Sequence, residues 1–246
     1  MDGEAVKNIE TLIAKTVFKD VGDKTFGRDA KGDIKPVFFE PRPQPVILHT
    51  LSGLVDYIKA NVDKINPEKH LINIESPSRI SLVSAIGGID RQRDVIAVSE
   101  IEKELQTYRF GQYQEVEPFI ISLNSLFEDT EDKDRLARYV SRIKGGTTFS
   151  LEDDGITQVA EVTKGIAGAV TEKESAPKIV NLKPFRTFRD IDQPESGFLF
   201  RLKLIDTDEH TVGACLYESD GGRWRIDAVQ SIKKYLEEKV KIAIIA

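Results

Sequence analysis

The chain has 246 residues, 40% hydrophobic and 31% charged, with a net charge of -6; that composition suits a globular protein with a sizeable core and excludes wholesale disorder. No apolar run approaches the ~20 residues needed to cross a bilayer, and Met1-Asp-Gly-Glu4 has neither the basic nor the apolar part of a secretory leader, so the expected location is the cytoplasm. Cys215 is the only cysteine, which excludes an intramolecular disulfide and a cysteine-rich zinc site, and the acidic whole argues against strong nonspecific duplex binding.

Val6, Ile9, Ile13 and Val17 repeat at helical spacing, so an amphipathic helix is expected over Glu4 to Lys19, ended by Gly22. From Gly22 to Pro45, glycines and prolines break regular structure; this is the expected mobile region, with Val37-Phe-Phe39 as a short edge strand. Leu51, Leu54, Val55, Ile58, Val62 and Ile65 share one helical face, with Thr50 as N-cap and Asn66-Pro67 as the stop. His70 to Ile74, Arg79 to Ile86 and Val95 to Ser99 read as strands. Phe119 to Phe127, opened by Pro118, is apolar on almost every side, which predicts a helix buried on both faces or set in a subunit contact through Phe119, Ile120, Leu123 and Phe127. A second helix follows from Thr130 to Lys144, closed by Gly145-Gly146.

Beyond Thr147 the pattern turns strand-like: Thr147 to Leu151, Thr157 to Thr163 and Lys178 to Leu182, with Gly165, Gly168 and Thr171 to Ser175 as a flexible connection. Phe198, Phe200, Leu202 and Leu204 then alternate with Leu199, Arg201 and Lys203, the period of a strand with one buried face, and Thr211 to Tyr217 follows as its partner. Ile226, Val229, Ile232, Leu236 and Val240 stripe a final helix, and Ile242 to Ala246 reads as a last strand. The expected fold is α+β: a mixed helix and strand lobe over residues 1–145, and a sheet-rich lobe over 146–246 whose antiparallel meander is capped by the C-terminal helix.

Charge is uneven. Ser99 to Arg135 holds ten acids and four bases, while Lys178 to Lys203 holds six bases and three acids. No GxxxxGK[ST] occurs, and no GxGxxG lies between a strand and a helix, so Gly87-Gly88 and Gly165-Ile-Ala-Gly168 read as turn or bulge glycines. Asp206, Asp208, Glu209 and His210 read as a solvated hairpin loop rather than a cation site, Asp153-Asp154-Gly155 as a turn, and His49 and His70 as structural histidines. Cys215, in a strand with no histidine at a motif spacing, reads as a buried thiol. No catalytic residue, metal ligand or cofactor is assigned. For binding, Arg186 and Arg189 interleave with Phe185 and Phe188, and Arg223 and Arg225 flank Trp224, a mixture able to hold phosphates while stacking bases. With Arg201 these give a candidate surface of Arg186, Phe188, Arg189, Arg201, Arg223, Trp224 and Arg225; the pairs Arg91/Arg93, Arg186/Arg189 and Arg223/Arg225 are each able to grip a phosphate.

Asp153-Asp-Gly-Ile-Thr-Gln158, Asn181 to Phe188, Asp192-Gln-Pro-Glu-Ser196 running into Phe198-Leu-Phe-Arg201, and Tyr217 to Trp224 ahead of a terminal helix together resemble a family of phage and prophage proteins, the YfdQ-like group. The likeness runs from about Ser76 to the C-terminus. It implies a virus-encoded protein of the infected bacterial cytoplasm, and hands over no reaction and no catalytic residue. The first function expected is therefore a non-enzymatic assembly or interaction protein, a homo-oligomer binding a host or phage protein. Alternatives are an accessory protein for single-stranded nucleic acid or a phosphorylated small molecule, and a metal-dependent hydrolase.

Overall fold

The computed structural model describes residues 3–4, 6–8, 18–22, 24–28, 33–37, 44–87, 91–102, 105–144, 148–153, 158–164, 170–206 and 211–246. In chain order its elements are β1 (Phe18–Val21), β2 (Lys24–Arg28), β3 (Ile34–Pro36), β4 (Val46–Leu48), α1 (Leu51–Ala60), β5 (His70–Ser76), β6 (Arg79–Ser84), β7 (Val95–Glu100), β8 (Gln114–Glu115), α2 (Val116–Leu126), α3 (Glu131–Lys144), β9 (Thr148–Asp153), β10 (Gln158–Lys164), β11 (Val170–Ser175), β12 (Ile179–Leu182), β13 (Ser196–Asp206), β14 (Thr211–Glu218), α4 (Trp224–Glu237) and β15 (Ala243–Ile245). The architecture is α+β.

Three expectations for connecting segments are corrected. Phe18 and Lys19, assigned to the first helix, begin a hairpin with β2; of the rest of that helix only Glu4 and Val6 to Asn8 lie among the described residues, where they are helical. The glycine- and proline-rich stretch after Gly22 contains β2 and β3, which complete an antiparallel sheet in the order β1-β2-β3. β3 ends at Pro36 on the sheet's edge, where a missing N–H is tolerated, so the edge strand precedes Val37; Phe38 and Phe39 lie outside the described residues. Thr171 to Ser175 is strand, not a flexible connection, because β11 pairs along β10 in the sheet β11-β10-β9.

The largest sheet has the order β15-β5-β6-β7-β4, antiparallel at its centre and parallel at both edges. Ile72, Leu82 and Ala97 stand directly opposite one another across β5, β6 and β7, all fully buried, and form the floor of a core closed by Leu51 and Leu54 of α1 and by Ile232 and Leu236 of α4. Two caps fix α1. The Thr50 hydroxyl accepts from the Gly53 N–H at 3.0 Å, and the distant Asp190 carboxylate accepts from the Leu51 and Ser52 N–H groups at 3.0 and 2.9 Å. The helix ends at Asn61, which takes the left-handed conformation (φ 50°) that Asn adopts at low cost, so Val62 is exposed and does not extend the expected stripe.

The second core lies between the antiparallel sheet β12-β13-β14-β8 and helices α2 and α3. Phe198, Phe200 and Leu202 of β13 point into it, as their alternation requires. Phe119 of α2 and Tyr139 of α3 both meet the Phe200 ring, at 5.9 and 6.1 Å between centroids. The edge of β13 beyond β12 is closed by a side chain: Gln158 accepts from the Leu202 N–H at 2.8 Å and donates to the Leu202 carbonyl at 3.0 Å, replacing a strand at that point.

Each core takes residues from both sides of Lys144, the divide expected from the sequence. The terminal helix follows the meander in the chain, yet its buried Ile232 and Leu236 face the five-stranded sheet. Gly221 and Gly222, at φ 63° and 82°, make the turn that swings it there. Trp224, not the predicted Ile226, opens the buried stripe; Ile226 is exposed.

Candidate anion-binding site

Of the sequence-predicted arginines, Arg186 and Arg225 come together on the Trp224 ring, and Arg186 does so as part of a buried structural knot. Gln193 shapes the loop that carries Arg186: its Oε1 accepts from the Arg186 and Thr187 N–H groups at 3.1 and 3.2 Å, and its Nε2 donates to the Phe188 carbonyl at 3.0 Å. The Arg186 guanidinium, 8% exposed, lies over the Trp224 ring at 3.9 Å, donates to Ser196 and Glu218, and stands 3.9 Å from Asp220. Burial pulls its pKa down to about 10, against the opposing pull of Glu218 and Asp220. A cation so enclosed and neutralised is not offered to a ligand.

The rest of that set is distributed around the knot. Trp224 is 9% exposed and carries a second guanidinium, Arg225, at 5.0 Å; of the expected pair Arg223 and Arg225 only Arg225 meets the ring, Arg186 supplies the other cation, and the expected stacking surface for a base is occupied by the protein's own cations. Phe188 is buried in the first core. Arg189 stacks on Phe185 at 3.8 Å. Arg223 is exposed beside Asp227, and Arg201 stands apart on the outer side of β13. The proposed interface is also corrected: Phe119, Leu123 and Phe127 are buried in the second core and Ile120 packs against it, leaving Ile121 as the exposed apolar residue of α2.

A different set of cations shares an open space. Arg135, Arg138 and Arg142 recur at i, i+3 and i+7 along α3, a spacing that puts them on one side of the helix, and Lys178, ahead of β12, faces them. Together with Tyr139, Pro177 and Ile179 they line a groove of about 540 Å³. Among the described residues its lining includes no carboxylate. Arg135 is tied to Asp132 at 3.2 Å, on the helix's acidic first turn. Two features hold this helix edge in place. The Thr130 hydroxyl accepts from the Lys133 N–H at 3.1 Å, and Asp132 accepts from the Asn181 N–H of β12 at 2.8 Å, fixing α3 to the strand that follows Lys178. Guanidinium groups present planar paired donors to phosphate or carboxylate, and an ammonium adds a mobile point charge.

Other candidates are engaged structurally. The His49 ring is bonded to the Glu100 carbonyl and the His70 ring to the backbone of Asn66. Cys215 is buried in β14, and burial pushes its thiol pKa up. Residues 154–157, 165–169 and 207–210, which include Asp154, the Gly165 to Gly168 pair, Asp208, Glu209 and His210, lie outside the described residues. In comparison with known protein families, curated proteins and solved structures, the chain matches none.

Proposed function

We propose that the protein is a non-enzymatic binding protein whose groove along α3 holds the phosphate groups of a ligand. The observation that carries this reading is the convergence of Arg135, Arg138, Arg142 and Lys178 on one open space of about 540 Å³. Supporting it, the buried Arg186 knot shows by contrast how this chain treats a structural arginine, with carboxylates and a ring packed on it. The reading keeps the binding alternative drawn from the sequence and moves it to other residues; the virus-encoded cytoplasmic setting implied by the YfdQ-like resemblance is compatible with it.

The test is thermal unfolding with inorganic pyrophosphate. A ligand that binds only the folded state stabilises it by about 2.7 kcal/mol at a hundredfold excess over Kd, so the wild type is expected to melt at a higher temperature and the double variant R138E/K178E is not. No shift in the wild type, or an equal shift in the variant, would sink the reading.

A further inference from the structure

From the outer face of the second sheet we infer the class of ligand: the protein binds single-stranded nucleic acid, with its bases on that face and its phosphates in the α3 groove. The inference rests on the groove reading for its phosphate half, while its base half stands on separate residues.

An antiparallel strand with one face in a core presents its alternate residues on the other. On β13 those are Leu199, Arg201 and Lys203, and across the ladder they stand opposite Tyr217, Cys215 and Gly213 of β14. Tyr113, just before β8, lies over this face together with Ile205: a Cβ added at Gly213 would meet the Ile205 Cγ2 at 2.7 Å, which glycine avoids, and the Tyr113 Cβ at 3.4 Å, an ordinary contact distance. The Tyr113 and Tyr217 rings meet edge to face at 6.5 Å, and the Lys203 ammonium lies 5.9 Å from the Tyr113 centroid. These residues, with Arg201 and Leu199, line a second open space of about 570 Å³. Tyr217 is 37% exposed. Cys215 and Gly213 are themselves covered on this face, so what it offers is the row above them: two tyrosines, an arginine and a lysine, the components of a base-stacking platform, since every base has a π-face and the neighbouring cations meet the backbone. Glu115, opposite Gly213, marks its acidic margin.

The two spaces are joined through the sheet. Ile179 lines the α3 groove, stands opposite Leu199 on β13, and Leu199 stands opposite Tyr217 on β14. Two strand spacings put Tyr217 about 10 Å from Ile179. An extended single strand can therefore pass from arginine groove to tyrosine face over a hydrophobic row. A rigid duplex, with its bases stacked inside, has nothing to place on the tyrosines.

The experiment is fluorescence anisotropy with a labelled oligo-dT of about 12 nucleotides, repeated at several salt concentrations. The wild type is expected to bind, with affinity falling as salt rises, and a blunt duplex of equal length to compete at least tenfold less well. Y217A and Y113A are each expected to weaken binding about tenfold with the salt dependence kept, whereas R138E/K178E flattens it. K203E, a change at an exposed side chain, gives the same direction if a tyrosine variant fails to fold. Equal binding of duplex and single strand, or unchanged affinity in both Y217A and K203E, overturns the inference. If oligo-dT does not bind while pyrophosphate still raises the melting temperature, the base platform falls and the groove reading stands; if neither binds, both fall.

Discussion

Arg186 and Arg138 are both arginines, and they sit in opposite electrostatic worlds. Arg186 is buried between Trp224, Glu218, Asp220 and Ser196; Arg138 faces an open groove with two further arginines and a lysine. Taking a cation out of water costs several kcal/mol and demands compensation, which the first site draws from two carboxylates, a hydroxyl and a ring of the chain itself, although the Arg186 Nε is left without a hydrogen-bond partner. In the second, Arg138 shares a solvent-open space with Arg142, Lys178 and an Arg135 paired to Asp132, an arrangement open to a polyanion. Residue type does not separate the two. Counter-charge and burial do.

The contrast breaks most clearly on substitution. Arg186→Ala leaves Glu218 and Asp220 without their cation and uncovers Trp224, so a stability loss of about 3–5 kcal/mol is expected in urea unfolding; a loss below about 1 kcal/mol would mean that the knot is not structural. Gln193→Ala removes the side chain that shapes the Arg186 loop, and about 2 kcal/mol is expected from the backbone groups left unpaired. Asp190→Asn sharpens the comparison at a carboxylate. Burial pushes the Asp190 pKa up, but hydrogen bonds from Ser52 and Leu51 outweigh it and hold the group below the ordinary carboxylate value. A depressed folded pKa adds stability above the unfolded value of about 3.9 that is lost as pH falls through the folded one. Wild type should therefore lose its advantage over Asp190→Asn on acidification, from about 1 kcal/mol near neutrality towards nothing at the acid end. Arg138→Glu, at the open site, should change stability by under about 0.5 kcal/mol while abolishing the pyrophosphate shift. Smallest of all, Trp224 emission should stay constant when oligo-dT binds, because its ring is buried and already meets two guanidinium groups; quenching would return the nucleic-acid site to Arg186 and its neighbours.

Local pattern made much of the fold legible. The alternation of Phe198, Phe200 and Leu202 sets the buried face of β13, Thr50 caps α1, and the apolar end of the chain is a strand. What escaped was set by distance along the chain or by single-residue stereochemistry. Nothing local says that Asp190 caps a helix 138 residues earlier, or that Gln158 closes the edge of β13. Asn61 ends α1 by one left-handed residue inside an otherwise continuous stripe. The groove itself was readable: Arg135, Arg138 and Arg142 have helical spacing. A window drawn from Ser99 to Arg135 stops where that row begins, and its acids mask the change of sign along α3. The arginines around Trp224 were conspicuous because aromatic and basic residues alternate there, yet alternation cannot tell a ligand surface from a cation–π contact made inside the fold.

The strand β15 lies parallel to β5, and α4 covers the same sheet, although the two paired strands are about 170 residues apart in the chain. Contacts so remote in sequence raise contact order, which slows folding. During synthesis, β5 to β7 leave the ribosome long before Ile232, Leu236 and Ile242 exist, with the Ile72, Leu82 and Ala97 row uncovered on the side those residues close. A sheet whose central strands are made early is thus finished only at the end of synthesis, with apolar surface open to aggregation through that interval.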